Sequence, residues 1–375
     1  MDLDLTDEQG MLKEAVRALC EDMMPTTAVR AAEHNPAVTA AFTQKLADMG
    51  IPGLRVPPSL GGSGLGLTDL VVAFIELGRA LAPGAHLESG VLATALLGAC
   101  AEPEASQLLR DIASGRHVVL PVWHERDGTN TPATVSAAVA QDGGGLVLTG
   151  EKHFVPHLEL AGCLLVLARG PHGQPVLAVV CPDAPGIERS AQPNLADQSL
   201  WRLRFTRTPV QTVLGLEGGI AALWDRALDE LHVGAAALAV GGAERVLEIT
   251  TQYACEREQF GRPIGGFQAI AHYLADAAVN VAASRILAYR AASAADEGTA
   301  FSHFALMAKL KACKTFRDVS AVSIQIHGGL GFTMEADPQL FFRRAKQQQL
   351  LNSDPASLET LIGNGLFAGQ HPVYA

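Results

Sequence analysis

Residues 253–268 read YACEREQFGRPIGGFQ, and residues 325–332 read QIHGGLGF. Helical periodicity runs into the first stretch, breaks at Gly261-Arg262-Pro263 and resumes at Phe267. Arg257, Gln259 and Gln268 are thereby set around one helix-to-helix turn, beside the ring of Phe260. A permanent cation, two amides and an apolar ring on so short a span suit a ligand that is both anionic and aromatic. The guanidinium offers a fork of donors to phosphate oxygens. In the second run, adjacent glycines let backbone amides approach an anion that a Cβ would hold away. Each piece alone has a plain structural explanation, because a Gly-Gly pair commonly caps a helix and phenylalanines commonly fill cores.

Outward from this pair, helical patterns occupy 219–253, 267–297, 302–327, 337–351 and 355–362, several of them longer than twenty residues without proline. That is the behaviour of a bundle. Upstream the period changes. Residues 118–122, 133–139, 146–148, 153–155, 163–168, 175–180 and 203–213 are short, β-branched or alternating, and Gly, Pro and Asp turns separate them. They predict a compact antiparallel barrel or sandwich with no helix-length insert for a Rossmann crossover, and no GxGxxG precedes a helix at the right place. The first part is helical again. Thr6 and Gln9 form a capping box, Leu12, Val16 and Leu19 continue an apolar stripe, and helices are expected over 36–49, 67–81, 89–97 and 102–114. The linker VPPSLGGSGLG at 56–66 stops one helix before Thr68-Asp69 caps the next. The expected class is α+β multidomain: an N-terminal α-helical domain (1–115), a middle antiparallel β-barrel (116–215) and a C-terminal four-helix bundle (216–375).

A chain of 375 residues with 48% apolar and 18% charged residues is neither disordered nor fibrous. Its net charge of −11, without a basic run, argues against nucleic acid as main partner while leaving room for a phosphate held by a few local cations. The six cysteines form no CxxC pair and read as core residues from a reducing compartment, and no zinc spacing such as HExxH occurs, so no metal is expected. The start, MDLDLTDEQG, lacks the order of a signal peptide, and charges interrupt the apolar run at 213–237. A cytoplasmic protein without a membrane span is expected.

With both runs and the helix, sheet, helix order in hand, the whole chain resembles the acyl-CoA dehydrogenase family over nearly its full length. The resemblance implies non-covalent FAD and an acyl-CoA substrate, with the α proton abstracted and hydride passed from the β carbon to flavin N5. It implies that Arg257 and Phe260 hold the FAD diphosphate and adenine side across a subunit interface, with Gln268 near the same cofactor. Gln325, Gly328 and Gly329 would approach the diphosphate from the neighbouring subunit, and Phe154 would stack on the flavin side. Electrons would pass to an electron-transferring flavoprotein or another acceptor.

The flavin-ring side departs from the family pattern. Val122-Trp123-His124-Glu125-Arg126-Asp127-Gly128-Thr129 stands where many members carry a Thr-Glu-Pro…Gly-Ser-Asp run, and Phe154-Val155-Pro156 replaces Trp-hydrophobic-Thr. Proline has neither hydroxyl nor amide proton to offer a flavin. The base departs as well. Asn352 matches the usual Glu after the last long helix, and Leu231 matches the alternative Glu position. Asn accepts no proton at neutral pH. Asp229 and Glu230 are the nearest acids, turned from position 231 by about 100° per residue and expected to face solvent unless the helix register differs.

This combination resembles bacterial members acting on CoA esters of steroid side chains or other bulky acids, which often assemble from two unlike dehydrogenase chains. The expectation is one subunit of an α2β2 acyl-CoA dehydrogenase, or of a self-assembled one. A catalytically silent cofactor-binding subunit and a related flavin monooxygenase or nitroalkane oxidase are the alternatives. Lys309, Lys311, Lys314 and Arg317, with Arg343, Arg344 and Lys346, either face CoA or FAD phosphates or cover a solvent face; Arg343 and Arg344 are the substrate-binding candidates. Ser323 and His327 share a helix face but lack an oriented acid for hydrolysis.

Overall fold

In a computed structural model, residues 4–126, 131–216 and 219–369 are described, so Asp127, Gly128 and Thr129 lie outside the described residues. Eleven α-helices occur among them. The helices α1 (Asp7–Met23), α2 (Thr26–Ala32), α3 (Pro36–Asp48), α4 (Leu67–Arg79), α5 (Thr94–Gly98) and α6 (Pro103–Ala113) precede the sheet. The strands are β1 (Val118–Val122), β2 (Ala138–Asp142), β3 (Gly145–Pro156), β4 (Ala161–Arg169), β5 (Pro175–Val180), β6 (Ile187–Ala191), β7 (Leu200–Pro209) and β8 (Thr212–Leu214). Then come α7 (Ile220–Glu256), a hairpin of β9 (Glu258–Gln259) and β10 (Arg262–Pro263), and α8 (Gln268–Asp296), α9 (Ser302–His327), α10 (Asp337–Leu350) and α11 (Pro355–Phe367).

The described residues form two compact units, which cut across that order. One holds residues 32–65 and 83–231, the other residues 1–31, 66–82 and 232–375. The first contains the sheet, ordered β6-β7-β3-β2-β4-β5-β8, with β1 paired beside β4. This corrects the antiparallel barrel. The path ends on β6 and β8 without closing, and β1 runs parallel to β4, Val122 opposite Val166. The hairpin β2–β3 supplies the crossover that a parallel pair requires, in place of the helix whose absence had suggested a purely antiparallel sheet. Because β1 covers most of one edge of β4, β2 meets β4 only at Ala138 opposite Arg169. The inner strands are continuous apolar runs, with Leu164–Ala168 and Val176–Val180 buried throughout. The first turns of α7 complete this core with Trp224, whose ring meets Trp123 edge-on at 5.5 Å.

In the second unit the C-terminal helices share their core with α1 and α4: α9 packs on α8, α10 and α11, while α4 packs on α1 and α8. The segment VGAAALAVGGA of α7 lets backbones meet directly. A Cβ on Gly241 would collide with the carbonyl of Ile75, and one on Gly78 with that of Leu238. The α1 capping box forms as expected, Thr6 Oγ1 accepting from the Gln9 amide at 3.2 Å. For α4, Asp69 accepts from the Gly66 amide at 2.9 Å, but the main cap is remote. Asp296 accepts from the amides of Leu67 (2.6 Å) and Thr68 (2.8 Å) and from the Thr68 hydroxyl (2.7 Å). Among the described residues no helix is long and apolar enough to cross a membrane.

Candidate active site

The stretch between α7 and α8 is a tight hairpin rather than a simple helical break. Gln259 pairs with Arg262, and Phe260 and Gly261 form its two-residue loop with φ of 55° and 78°. Both values are positive, as a turn matching the right-handed strand twist requires, and Gly261 meets that demand at no steric cost. Phe260, not glycine, meets it at a cost and holds its ring 93% exposed. Behind it Phe267 packs edge-on at 6.1 Å, with the Arg262 guanidinium 4.0 Å from the Phe267 ring centre. Arg257 and Gln268 are exposed on either side of the hairpin.

The second run is tied to the first by one ring contact, and the helices that carry the two runs by one hydrogen bond. Tyr253 stacks on His327 with ring centres 4.1 Å apart, and Thr250 Oγ1 donates to Ser323 Oγ at 2.6 Å. Beyond His327 the chain turns at Gly328, where φ is 60° and ψ −137°, a conformation open only to glycine. Gln325, Gly328 and Gly329 are exposed, and nothing stands within 4 Å of where a Cβ on either glycine would lie. The Ser323–His327 pair is structural. His327 Nδ1 lies 2.8 Å from the Ser323 carbonyl, not its hydroxyl.

In the sheet unit, Phe154 sits at a register shift in β3 with φ 54°, an uncommon conformation for a bulky residue. Its amide donates to Gln192 Oε1 at 2.8 Å, and its partly exposed ring meets His124 edge-on at 6.3 Å. His124 in turn stacks on Trp123 at 3.7 Å. Glu125 is fully engaged in holding the strands, accepting from Lys152 Nζ (2.7 Å), the Ser136 hydroxyl (2.6 Å) and the amides of Ser136 (2.9 Å) and Ala137 (3.0 Å). These bonds hold the Glu125 carboxyl below its usual range against the opposing effect of burial.

The acid positions differ from expectation. Asp229 and Glu230 are buried rather than solvent-facing, and Leu231 between them and the next turn is buried in the same core. Glu230 Oε2 lies 3.1 Å from the Arg55 guanidinium, and its other oxygen 3.7 Å from Arg226. Asn352 follows α10 in a turn with φ 56°. Of the cationic cluster, Arg344 is buried, while Arg343 is half-buried and donates to Gln339 at 2.9 Å. Lys309 is fully enclosed and bonds the turn at 351–353, so it covers no solvent face. The sequence groups it with cations that either face phosphates or cover a solvent face, and it does neither of these as an exposed side chain. The signal available was its place among Ala305, Ala308 and Ala312 on the apolar face of α9.

The helix, sheet, helix order is shared with a family of multi-domain enzymes. Residues 6–116 match the acyl-CoA dehydrogenase N-terminal domain and residues 218–352 the acyl-CoA dehydrogenase C-terminal domain. Acyl-CoA dehydrogenase IpdE2 of Mycobacterium tuberculosis is 31% identical, covering 95% of this chain and 96% of its own. Acryloyl-CoA reductase (NADH) of Anaerotignum propionicum is 30% identical over 92% of this chain and 91% of its own. Among solved structures, the Tcur3481–Tcur3483 steroid ACAD superposes with a TM-score of 0.86 at 30% identity, covering 97% of this chain and 99% of that one. The ChsE4–ChsE5 complex of Mycobacterium tuberculosis gives 0.86 at 26% identity over 100% of both chains. The chain belongs to the acyl-CoA dehydrogenase family.

Proposed function

We propose that this chain is one subunit of an FAD-dependent enzyme that dehydrogenates a bulky acyl-CoA between its α and β carbons, and that an unlike dehydrogenase chain completes the site. The observation that carries the proposal is the pairing of an exposed, glycine-opened diphosphate side with a base position occupied by an amide. Arg257, Phe260 and Gln268 stand exposed at the hairpin, and the open backbone at Gly328 and Gly329 leaves room for an anion beside their amides. These residues fit the diphosphate and adenine side of FAD, with Gln325 beside them. When bound, FAD would accept the hydride leaving the β carbon. Phe154 supplies an aromatic face on the flavin side, and Pro156 withholds the polar contact that a threonine would give there.

Removal of the α proton needs a free carboxylate within hydrogen-bonding reach. Asn352 offers none, and the oxygens of Glu230 already face the guanidinium groups of Arg55 and Arg226. We therefore assign the base to the partner chain and leave Asp229 and Glu230 as the internal alternative. Of the two substrate-binding candidates, the half-buried Arg343 is the one proposed to meet a CoA phosphate, while Arg344 is buried. A steroid side chain or similar acid is the proposed acyl group, in keeping with the steroid ACAD and the two-protein complex among the relatives. An electron-transferring flavoprotein is the proposed acceptor in a cytoplasmic setting.

The test is to purify the chain alone and together with an unlike family member, then record flavin absorbance and its anaerobic bleaching by acyl-CoA. Only the pair is expected to bleach at a useful rate. Arg257→Ala should lower FAD affinity roughly 10–100-fold with the fold retained, the range for losing a charge-assisted contact. Full FAD occupancy and turnover by the lone chain would overturn the split site. Hydroxylation dependent on oxygen and reduced flavin would favour a monooxygenase.

A further inference from the structure

The turn at 351–353 is built around an internal cation. Lys309, on α9, is 0% exposed, and its ammonium donates to three successive backbone carbonyls, those of Leu351 (2.7 Å), Asn352 and Ser353 (2.5 Å). An ammonium has three N–H donors, and here each meets one carbonyl. Asn352 and Ser353 both adopt positive φ, 56° and 83°, which non-glycine residues hold only where their surroundings over-determine it. From α7, His232 places Nε2 3.1 Å from the Ser353 hydroxyl. Directly afterwards Asp354 caps α11, accepting from the Ala356 amide at 2.9 Å and the Ser357 amide at 3.3 Å.

This geometry joins the end of α10 to the start of α11 through one side chain. Without the ammonium, the three part-buried carbonyl oxygens would each lose an N–H donor that a hydrocarbon in its place could not restore. A small cation carrying three N–H donors would satisfy them, one donor to each carbonyl. Of the groups near Lys309, His232 also bonds the Asn352 backbone. His232 and Ser353 bond each other, Cys313 faces the Gln348 carbonyl, and the Asp354 carboxylate is engaged by the α11 amides and the Ser357 hydroxyl.

We infer that Lys309 is a positioning residue: its ammonium is the cation of a three-carbonyl cage that fixes the turn at position 352, and a free alkylammonium can replace it. The inference rests on the turn alone and stands whether or not the flavin reading holds.

Lys309→Ala removes the atoms of an n-propylammonium ion, which makes the replacement testable. Hydrogen exchange of amides 351–357 and thermal unfolding are measured for the wild type and K309A, with propylammonium, tetramethylammonium or sodium chloride at equal ionic strength. K309A should lose protection in this segment, and propylammonium alone should restore it by at least about tenfold. Tetramethylammonium has the charge without donors, so recovery with that ion or with sodium would overturn the cage. Unchanged protection in K309A would also overturn it. Should K309A accumulate only when propylammonium is present during purification, dialysis against sodium chloride must then unfold it. Lys309→Met keeps the bulk without a donor and must lose the same local protection; a K309M turn as protected as the wild type contradicts the proposal.

Discussion

His232 is a buried imidazole through which the helical unit gains a pH-dependent contribution to its stability. Burial, and next the charge of Lys309, push its imidazole down to about 3 from an ordinary 6.5. Between those values the unfolded chain binds a proton that the folded chain refuses, so the contribution of His232 is complete above pH 6.5 and is lost as pH falls toward 3. At about 1.4 kcal/mol per unit, the loss reaches about 3 kcal/mol by pH 4. His232→Gln should therefore show a shallower fall of Tm between pH 6.5 and 4 than the wild type, measured by calorimetry across that range. Equal slopes would place the acid sensitivity elsewhere. Lys309 answers in the same direction, in a higher window. Burial lowers it to about 8 from 10.5, so the unfolded chain again holds the extra proton, and stability from this group rises as pH climbs through that window.

Among the elements, α4 is the one whose placement depends most on distant chain. Its N-terminus is held by Asp296 at the far end of α8, which satisfies two amides and a hydroxyl, and its body meets α7 where Gly78 and Gly241 permit backbone contact. Asp296→Ala should cost about 1–2 kcal/mol, the range of a lost cap, with faster amide exchange at Leu67 and Thr68. Gly241→Ala adds only a methyl group, but in a space already filled by the Ile75 carbonyl, and overpacking of this kind costs about 1–3 kcal/mol or more. Gly10, in α1 with open space around it, is the control. Gly10→Ala should stabilise the helix by up to about 1 kcal/mol, and a loss at both positions would argue against the contact as the cause.

At the scale of the whole molecule, several exposed apolar residues lie on two loops: Phe260 on the hairpin, and Leu330, Phe332 and Met334 on the glycine turn and just after it. Large apolar side chains gathered on loops mark contact surfaces more often than ordinary surface. Co-expression with the unlike partner should shift the sedimentation mass to that of a four-chain assembly, and Phe332→Ser should lower that mass without unfolding either unit. A variant that assembles as the wild type does would place the interface on another face. Glu76, buried between Arg17 and Arg79, is the internal counterpart: its oxygens accept from Arg17 at 2.8 and 3.0 Å and tie α1 to α4 before any partner arrives.

Much of this was written in local sequence. The boundaries of α9, the start of α11, the Thr6 box and the turns at Gly261 and Gly328 follow from periodicity, caps and glycines, all of which act over a few residues. The sheet did not follow, since whether it closes depends on β1 entering parallel beside β4, a pairing between residues some forty positions apart that no local pattern encodes. The same holds for the burial of Asp229, Glu230 and Lys309. Each reads as a surface charge until a guanidinium or three carbonyls arrive from elsewhere in the chain to satisfy it, because only tertiary contact supplies the partner that makes a buried charge tolerable.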